Sequence, residues 1–230
     1  MTESLRYHGR MEYEIRGKLA QYVHLTLNSG DSCWASKGSL ISYGPGIRWS
    51  LKVPGGMRGA ASRLFSGESL ALTLIESSDD GCSVALSSNE PGKILAWDLD
   101  TGPVVTTRGS FVGAFGPEIS IDVNIAKRPG AALFGGAGLF LQTVSGKGMA
   151  FVHGAGDFIE HELRADQSIL VSTGSLAGFS KKVDYNIQGV GGMRRIFFGG
   201  EGLFMTKLTG PGRVLLQSLK RTMTKAKTNQ

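Results

Sequence analysis

Apolar and polar residues alternate over much of the chain. In "GIRWSLKV" (46–53), Ile47, Trp49, Leu51 and Val53 take every second place, with Arg48, Ser50 and Lys52 between them. "EISIDVNIA" (118–126) repeats the pattern with Ile119, Ile121, Val123 and Ile125 around Ser120, Asp122 and Asn124. "KVDYNI" (182–187) does so with Val183, Tyr185 and Ile187 around Asp184 and Asn186. Successive strand side chains point to opposite faces, so each run predicts a β-strand with one buried and one wet face. The runs Val23-Leu25-Leu27, Leu95-Trp97-Leu99 and Ile159-His161-Leu163 read the same way. Each precedes a turn and a second strand, as in "SCWAS" and "SILVS".

These runs belong to a larger period. "KGSL" (37–40), "RGSF" (108–111) and "TGSL" (173–176) each stand upstream of a glycine cluster, "LFSGESLALTLI", "LFGGAGLFLQTV" or "FFGGEGLFMTKL". Gly38 to Phe65 is 27 residues, Gly109 to Phe134 is 25, and Gly174 to Phe198 is 24. Matched landmarks in one order at near-constant spacing predict three tandem units, 1–92, 93–156 and 157–220, with a basic tail over 221–230. About five short strands per unit, some fifteen in all, predict an all-β sandwich or barrel-like fold. Only "GGMRGAASRLF", "RPGAALF" and "GGMRRIFF" have the composition for a helical turn. One unit buries too little apolar surface to offset its chain entropy, so an isolated 157–230 fragment should not melt cooperatively.

Glycine numbers 34, against about 16 at average usage. The repeated clusters account for much of this excess. Gly67, Gly136 and Gly200 share one column, and Gly135, Gly199 and Gly202 accompany them, as corners with positive φ or no room for a Cβ. A strand pattern follows each cluster, so the helix N-terminus that would face a phosphate is missing. Neither Gly-x-Gly-x-x-Gly nor Gly-x4-Gly-Lys-Ser/Thr occurs. The clusters read as structural.

The remaining composition narrows the classes. No apolar run reaches the ~18 residues of a spanning helix. The start, "MTESLRYHGRMEYEI", lacks the layout of a secretion signal, and two cysteines cannot build a disulfide framework. A cytoplasmic location is expected. The net charge of +6 owes four positions to Lys220, Arg221, Lys225 and Lys227; without them 21 basic residues face 19 acidic ones. That end reads as a solvated tail, with contact to nucleic acid or an anionic membrane surface as the alternative.

Candidate chemistry is sparse. "HGAGDFIEH" (153–161) gathers His153, Asp157, Glu160 and His161, the best metal candidate among the four histidines (His8 and His24 are the others). Alternation places His161 inward with Leu25 and Trp97, and Glu160 outward with His24 and Ala96. His153 aligns with Ser88 and Gln217 in a polar strand-end column. Cys33 aligns with Ile169 as a small apolar residue, and Cys82 aligns with Lys147 and Pro211 in a turn. No Gly-x-Ser-x-Gly elbow occurs, so no nucleophile stands out. Arg58, Arg128, Arg194 and Arg195 precede the glycine clusters, where they cover loop carbonyls or ring a surface able to bind anions, nucleic acid or a partner's acids.

"GSL" followed by "FGGEGLF" and "GPGRVLLQS" resembles the mitochondrial-biogenesis (altered inheritance of mitochondria) family, over roughly residues 11–220. That resemblance implies a fold like the tryptophan RNA-binding attenuation protein, a β-sandwich of double-stranded β-helix type that assembles into rings. It also implies homo-oligomers, with a trimer favoured, and no established enzymatic activity. The expected function is a non-enzymatic, self-associating scaffold without a cofactor. Nucleic-acid or anion binding through the arginines and tail is one alternative. A metal-dependent or small-molecule-binding double-stranded β-helix protein is the other.

Overall fold

The structure is a computed structural model, and it describes residues 6–8, 11–54, 71–126, 139–189 and 204–221. Among these residues the chain forms twenty strands and two three-residue 3-10 turns, Leu99–Thr101 and Thr173–Ser175. A hairpin comes first, β1 (Arg6–His8) and β2 (Met11–Arg16). Next are β3 (Tyr22–Leu27), β4 (Ser32–Ala35), β5 (Leu40–Tyr43), β6 (Ile47–Lys52), β7 (Leu72–Ser77) and β8 (Cys82–Ser87). The middle of the chain supplies β9 (Gly92–Asp98), β10 (Val104–Thr107), β11 (Phe111–Phe115), β12 (Ser120–Ala126), β13 (Leu139–Ser145) and β14 (Met149–Ala155). The last six are β15 (Phe158–Leu163), β16 (Ser168–Ser172), β17 (Leu176–Ser180), β18 (Asp184–Gly189), β19 (Phe204–Thr209) and β20 (Gly212–Gln217).

The chain is all-β, and its strands pair antiparallel in four sheets. The first runs β1-β2-β3-β8-β5, the second β6-β7-β4-β11-β14-β9, the third β12-β13-β10-β17-β20-β15 and the fourth β16-β19-β18. The trio β3-β8-β5 has the same order as β9-β14-β11 and β15-β20-β17. Likewise β4-β7-β6 matches β10-β13-β12 and β16-β19-β18. Each group of six thus divides between two sheets, not the five strands expected, because the residues after each Gly-Ser pair form strands of their own (β5, β11, β17). All three carry a one-residue register shift at the same place, between Leu40 and Ser42, Phe111 and Gly113, and Leu176 and Gly178.

Three cores lie along this series. The first draws Val23 and Leu25 from the first sheet together with Ile75, Phe115 and Phe151 from the second. Tyr13, Phe115 and Phe151 form an aromatic trio there, with centroids 5.2–6.0 Å apart. The second core joins Trp97, Phe111 and Val152 to Val104, Ile121, Val144 and Leu215 of the third sheet. The third joins Val105, Leu141, Phe179 and Val214 to Val171 and Leu208 of the fourth. Strands β11 and β14 in the second sheet are buried along their whole length, because that sheet contributes to the cores on both sides.

One alternating run departs from expectation. Ile47 is buried, but Trp49, Leu51 and Val53 are exposed. In β12, by contrast, Ile121 lies within the second core. Alternation shows that residues share a face; it does not show that another layer covers that face. Strand β6 is the outer strand of its sheet. The segments proposed for helical turns lie outside the described residues, as do Gly67, Gly135, Gly136, Gly199, Gly200 and Gly202.

Candidate functional site

Arg58, Arg128, Arg194 and Arg195, the arginines proposed to bind anions, also lie outside the described residues. A polar cluster that the structure does describe forms elsewhere, around Arg221. Its guanidinium donates through Nε to Glu90 Oε2 at 2.7 Å, through Nη1 to Ser110 Oγ, and through Nη2 to His153 Nδ1 at 2.7 Å. Nη1 also reaches the Arg108 carbonyl at 3.4 Å, and the Arg221 backbone N–H donates to the Gly174 carbonyl at 3.0 Å. Its side chain is 14% exposed. Its sequence position predicts a solvated tail; it is instead held in place by residues from four distant parts of the chain, around 90, 108–110, 153 and 174.

Each partner is set by its strand. Ser110 is fully buried just before β11, after Gly109, whose φ of +75° favours glycine at this turn. A Cβ at Gly109 would stand 3.3 Å from Arg221 Nε, so the guanidinium also uses the missing side chain. His153 lies on β14 opposite Ile94 and is buried; its backbone N–H donates to the Ser110 carbonyl at 2.7 Å. Gln217 on β20 is buried too, accepting from the Ala155 N–H at 3.1 Å and donating to the Gly174 carbonyl at 2.9 Å. By sequence the His153 column is a polar strand end; in the structure it is an interior one. Cross-strand register pairs it with Gln217 as expected, but its third member is Ser87 rather than Ser88.

The electrostatics follow from this geometry. Burial first, and then the Arg221 charge, push the His153 imidazole down to about 4. The neutral ring accepts at Nδ1, so its proton sits on Nε2, which is buried on the side of the Glu90 backbone. Thr107 Oγ1 donates to the Leu176 carbonyl at 2.7 Å, which leaves it to accept from Ser110 Oγ at 3.2 Å. The Ser110 proton is thereby directed at Thr107, and the imidazole lone pair at Arg221. No base within this cluster is placed to activate Ser110, so the arrangement is suited to clamping rather than to nucleophilic chemistry.

The other candidates separate. His161 is half-buried on β15, Glu160 is exposed and pairs with Arg213 across β20, and Asp157 lies between the strands. Among the described residues no three His, Cys, Asp or Glu side chains gather as a metal site. Cys33 is fully packed, and burial pushes its thiol up to about 12. Cys82 begins β8 instead of lying in a turn, and its Sγ donates to the Pro45 carbonyl at 3.1 Å. The sequence offered no sign of the Arg221–Glu90 pair, whose members are 131 residues apart.

Residues 13–219 match the family described as mitochondrial biogenesis AIM24. An uncharacterized protein of Streptococcus pyogenes serotype M6 is 29% identical over 227 residues, covering 94% of this chain and 89% of that protein. The X-ray crystal structure of a Streptococcus pyogenes protein superposes with a TM-score of 0.75 at 25% identity, covering 92% of this chain and 94% of that one. No helix among the described residues is long and apolar enough to cross a membrane. With nearly the whole described fold inside the matched span, the chain belongs to the mitochondrial biogenesis AIM24 family.

Proposed function

We propose that this chain is a non-enzymatic scaffold that associates with copies of itself, built from three equivalent units over 1–92, 93–156 and 157–220. Recurrence of one strand order and one bulge along the chain supports the three units. Its sandwich is of the attenuation-protein type, and a trimer is the expected assembly. The observation that carries self-association is the apolar surface of the outer strands. Ile41 and Tyr43 on β5, Trp49 and Leu51 on β6, and Leu170 on β16 are all exposed. Outer strands bearing large apolar side chains invite pairing with another chain unless something covers them. The Arg221 cluster fits the same reading, since its hydrogen bonds tie the chain together.

Light scattering on the purified protein tests this. The expected mass is a fixed multiple of the 24.4 kDa chain, and a trimer would weigh three times that. A single species at 24.4 kDa across the micromolar range would end the self-association reading.

A further inference from the structure

We propose that copies of this chain join head to tail, β16 of one pairing antiparallel with β5 of the next, Leu170 directly opposite Tyr43. This rests on the self-association reading and assigns the surface it uses.

The warrant is a pair of junctions inside the chain. Strand β4 pairs with β11, and β10 pairs with β17, each time joining the second strand of one unit to the third strand of the following unit. Their registers agree. Ala35, Trp34 and Cys33 oppose Gly113, Ala114 and Phe115; Thr106, Val105 and Val104 oppose Gly178, Phe179 and Ser180. The fourth sheet ends at β16 and the first at β5. These are again a second and a third strand, and among the described residues the outer edge of each is unpaired. Cys33, Val104 and Ile169 face the buried Ile75, Val144 and Leu208 either directly or in the same strand column. Leu170 therefore stands where Trp34 and Val105 stand, and the shared bulge places Ile41 with Val112 and Ala177.

Burial at these positions follows the junctions. Val112 is 1% exposed and belongs to the first core; Ala177 is 0% exposed and belongs to the second, so each enters the core of the unit before it. Ile41 has no unit before it and is 59% exposed. Conversely, Trp34 packs against the second core and Val105, 7% exposed, lies in the third, each in the core of the unit that follows. Leu170 has no unit after it and is 58% exposed. A second copy removes both anomalies at once: Ile41 enters its neighbour's third core, and Leu170 enters the first core of the copy on its other side. The Ser36 N–H that donates to the Val112 carbonyl at 2.9 Å has its counterpart in a Ser172 N–H directed at the Ile41 carbonyl. Because the two strands differ, the contact is heterologous, and it builds a ring where the rotation between copies closes.

One difference between the junctions bears on fit. Gly113 and Gly178 bring β11 and β17 close to their partners, where an added Cβ would stand 2.8 Å from the Trp34 carbonyl oxygen and 3.0 Å from that of Val105. Unit one has Ser42 at this place, so the contact between copies must accommodate a Cβ that the two internal junctions lack.

The test is a cross-link in the full chain. Directly opposite residues of antiparallel strands have Cα atoms about 4.5–5.5 Å apart, within disulfide range. Combining Tyr43→Cys with Leu170→Cys should give a ladder of covalently linked chains on non-reducing gels after mild oxidation; Tyr43→Cys with Ile159→Cys should not. Tyr43→Lys and Leu170→Lys should each reduce the mass to one chain. Mixed, they should recover a dimer and nothing larger, because only one intact β16–β5 contact is then available. If the wild type assembles but the first pair fails to link, or both pairs link equally, the strand assignment is wrong and self-association stands. A wild-type mass of 24.4 kDa removes the self-association reading and this inference with it.

Discussion

Arg221 Nη2 donates to His153 Nδ1 across 2.7 Å, joining the end of the described chain to a strand 68 residues earlier. The same guanidinium holds Glu90 and Ser110, and its backbone holds Gly174. A planar fork with five donors reaches three separated side chains in one fixed orientation; the three donors of a lysine radiate from a single nitrogen and cannot span them.

The His153 environment makes stability depend on pH. Its native pKa of about 4 lies below the ordinary 6.5, so between those values the unfolded chain binds more protons than the native one. The contribution is fully present above pH 6.5 and is lost as pH falls toward 4, amounting to about 1–3 kcal/mol. His24, also lowered mainly by burial, acts in the same direction. Urea midpoints measured from pH 7 to pH 4 should fall less in His153→Asn, whose amide oxygen still accepts from Arg221; equal slopes would refute the assignment.

Replacing Arg221 with methionine should cost about 2–4 kcal/mol, since Ser110 and His153 are buried and lose their partner. Arg221→Lys should recover only a minor part, because one ammonium cannot reproduce the geometry of the fork. Chemical denaturation at pH 7 provides the comparison. A lysine variant as stable as the wild type would show that charge alone matters.

Gly113→Ala should destabilise by about 1–3 kcal/mol. Its Cβ would meet the Trp34 carbonyl at 2.8 Å and the Leu86 side chain at 2.9 Å, and the former belongs to a paired strand that cannot withdraw alone. A thermal scan that leaves the midpoint unchanged would mean the β4–β11 contact is looser than described.

At the equivalent outer position the effect should reverse. Ser42→Gly removes the Cβ that keeps copies apart, so the assembly should persist to several-fold lower protein concentration than the wild type. Mass measured along a dilution series decides this, and earlier dissociation of the variant would count against β5 as the contact strand.

A 157–230 fragment should show no cooperative melt. Its core includes Val105 and Leu141 from outside the fragment, and removing β10 exposes an edge of β17. A sharp transition from a monomeric fragment would contradict this.

Legibility differed between elements. Period-two runs revealed β6, β12 and β18 because strand side chains alternate regardless of what surrounds them. Landmark spacing likewise exposed the recurring order. The polar column was harder. His153 and Gln217 resemble solvated strand ends in sequence, and only the packing of β14 and β20 within sheets shows them to be interior. Cys82 stands with Gly148 and Gly212, one residue from the position its sequence alignment suggests, because the turn before β8 has no counterpart of equal length.

The amino-acid sequence by itself determined strand character, the matched landmarks and the family, since alternation, glycine placement and residue identity are local and survive without coordinates. Only the tertiary structure decided which apolar faces are covered. Trp49 and Ile121 occupy matching places in similar strands, yet one is exposed and the other lies in a core. The same holds for Arg221, a residue of an apparently solvated end whose partners converge from 131, 111 and 68 residues away. Burial and hydrogen bonding are properties of neighbours, and in a sheet protein most neighbours are distant in sequence.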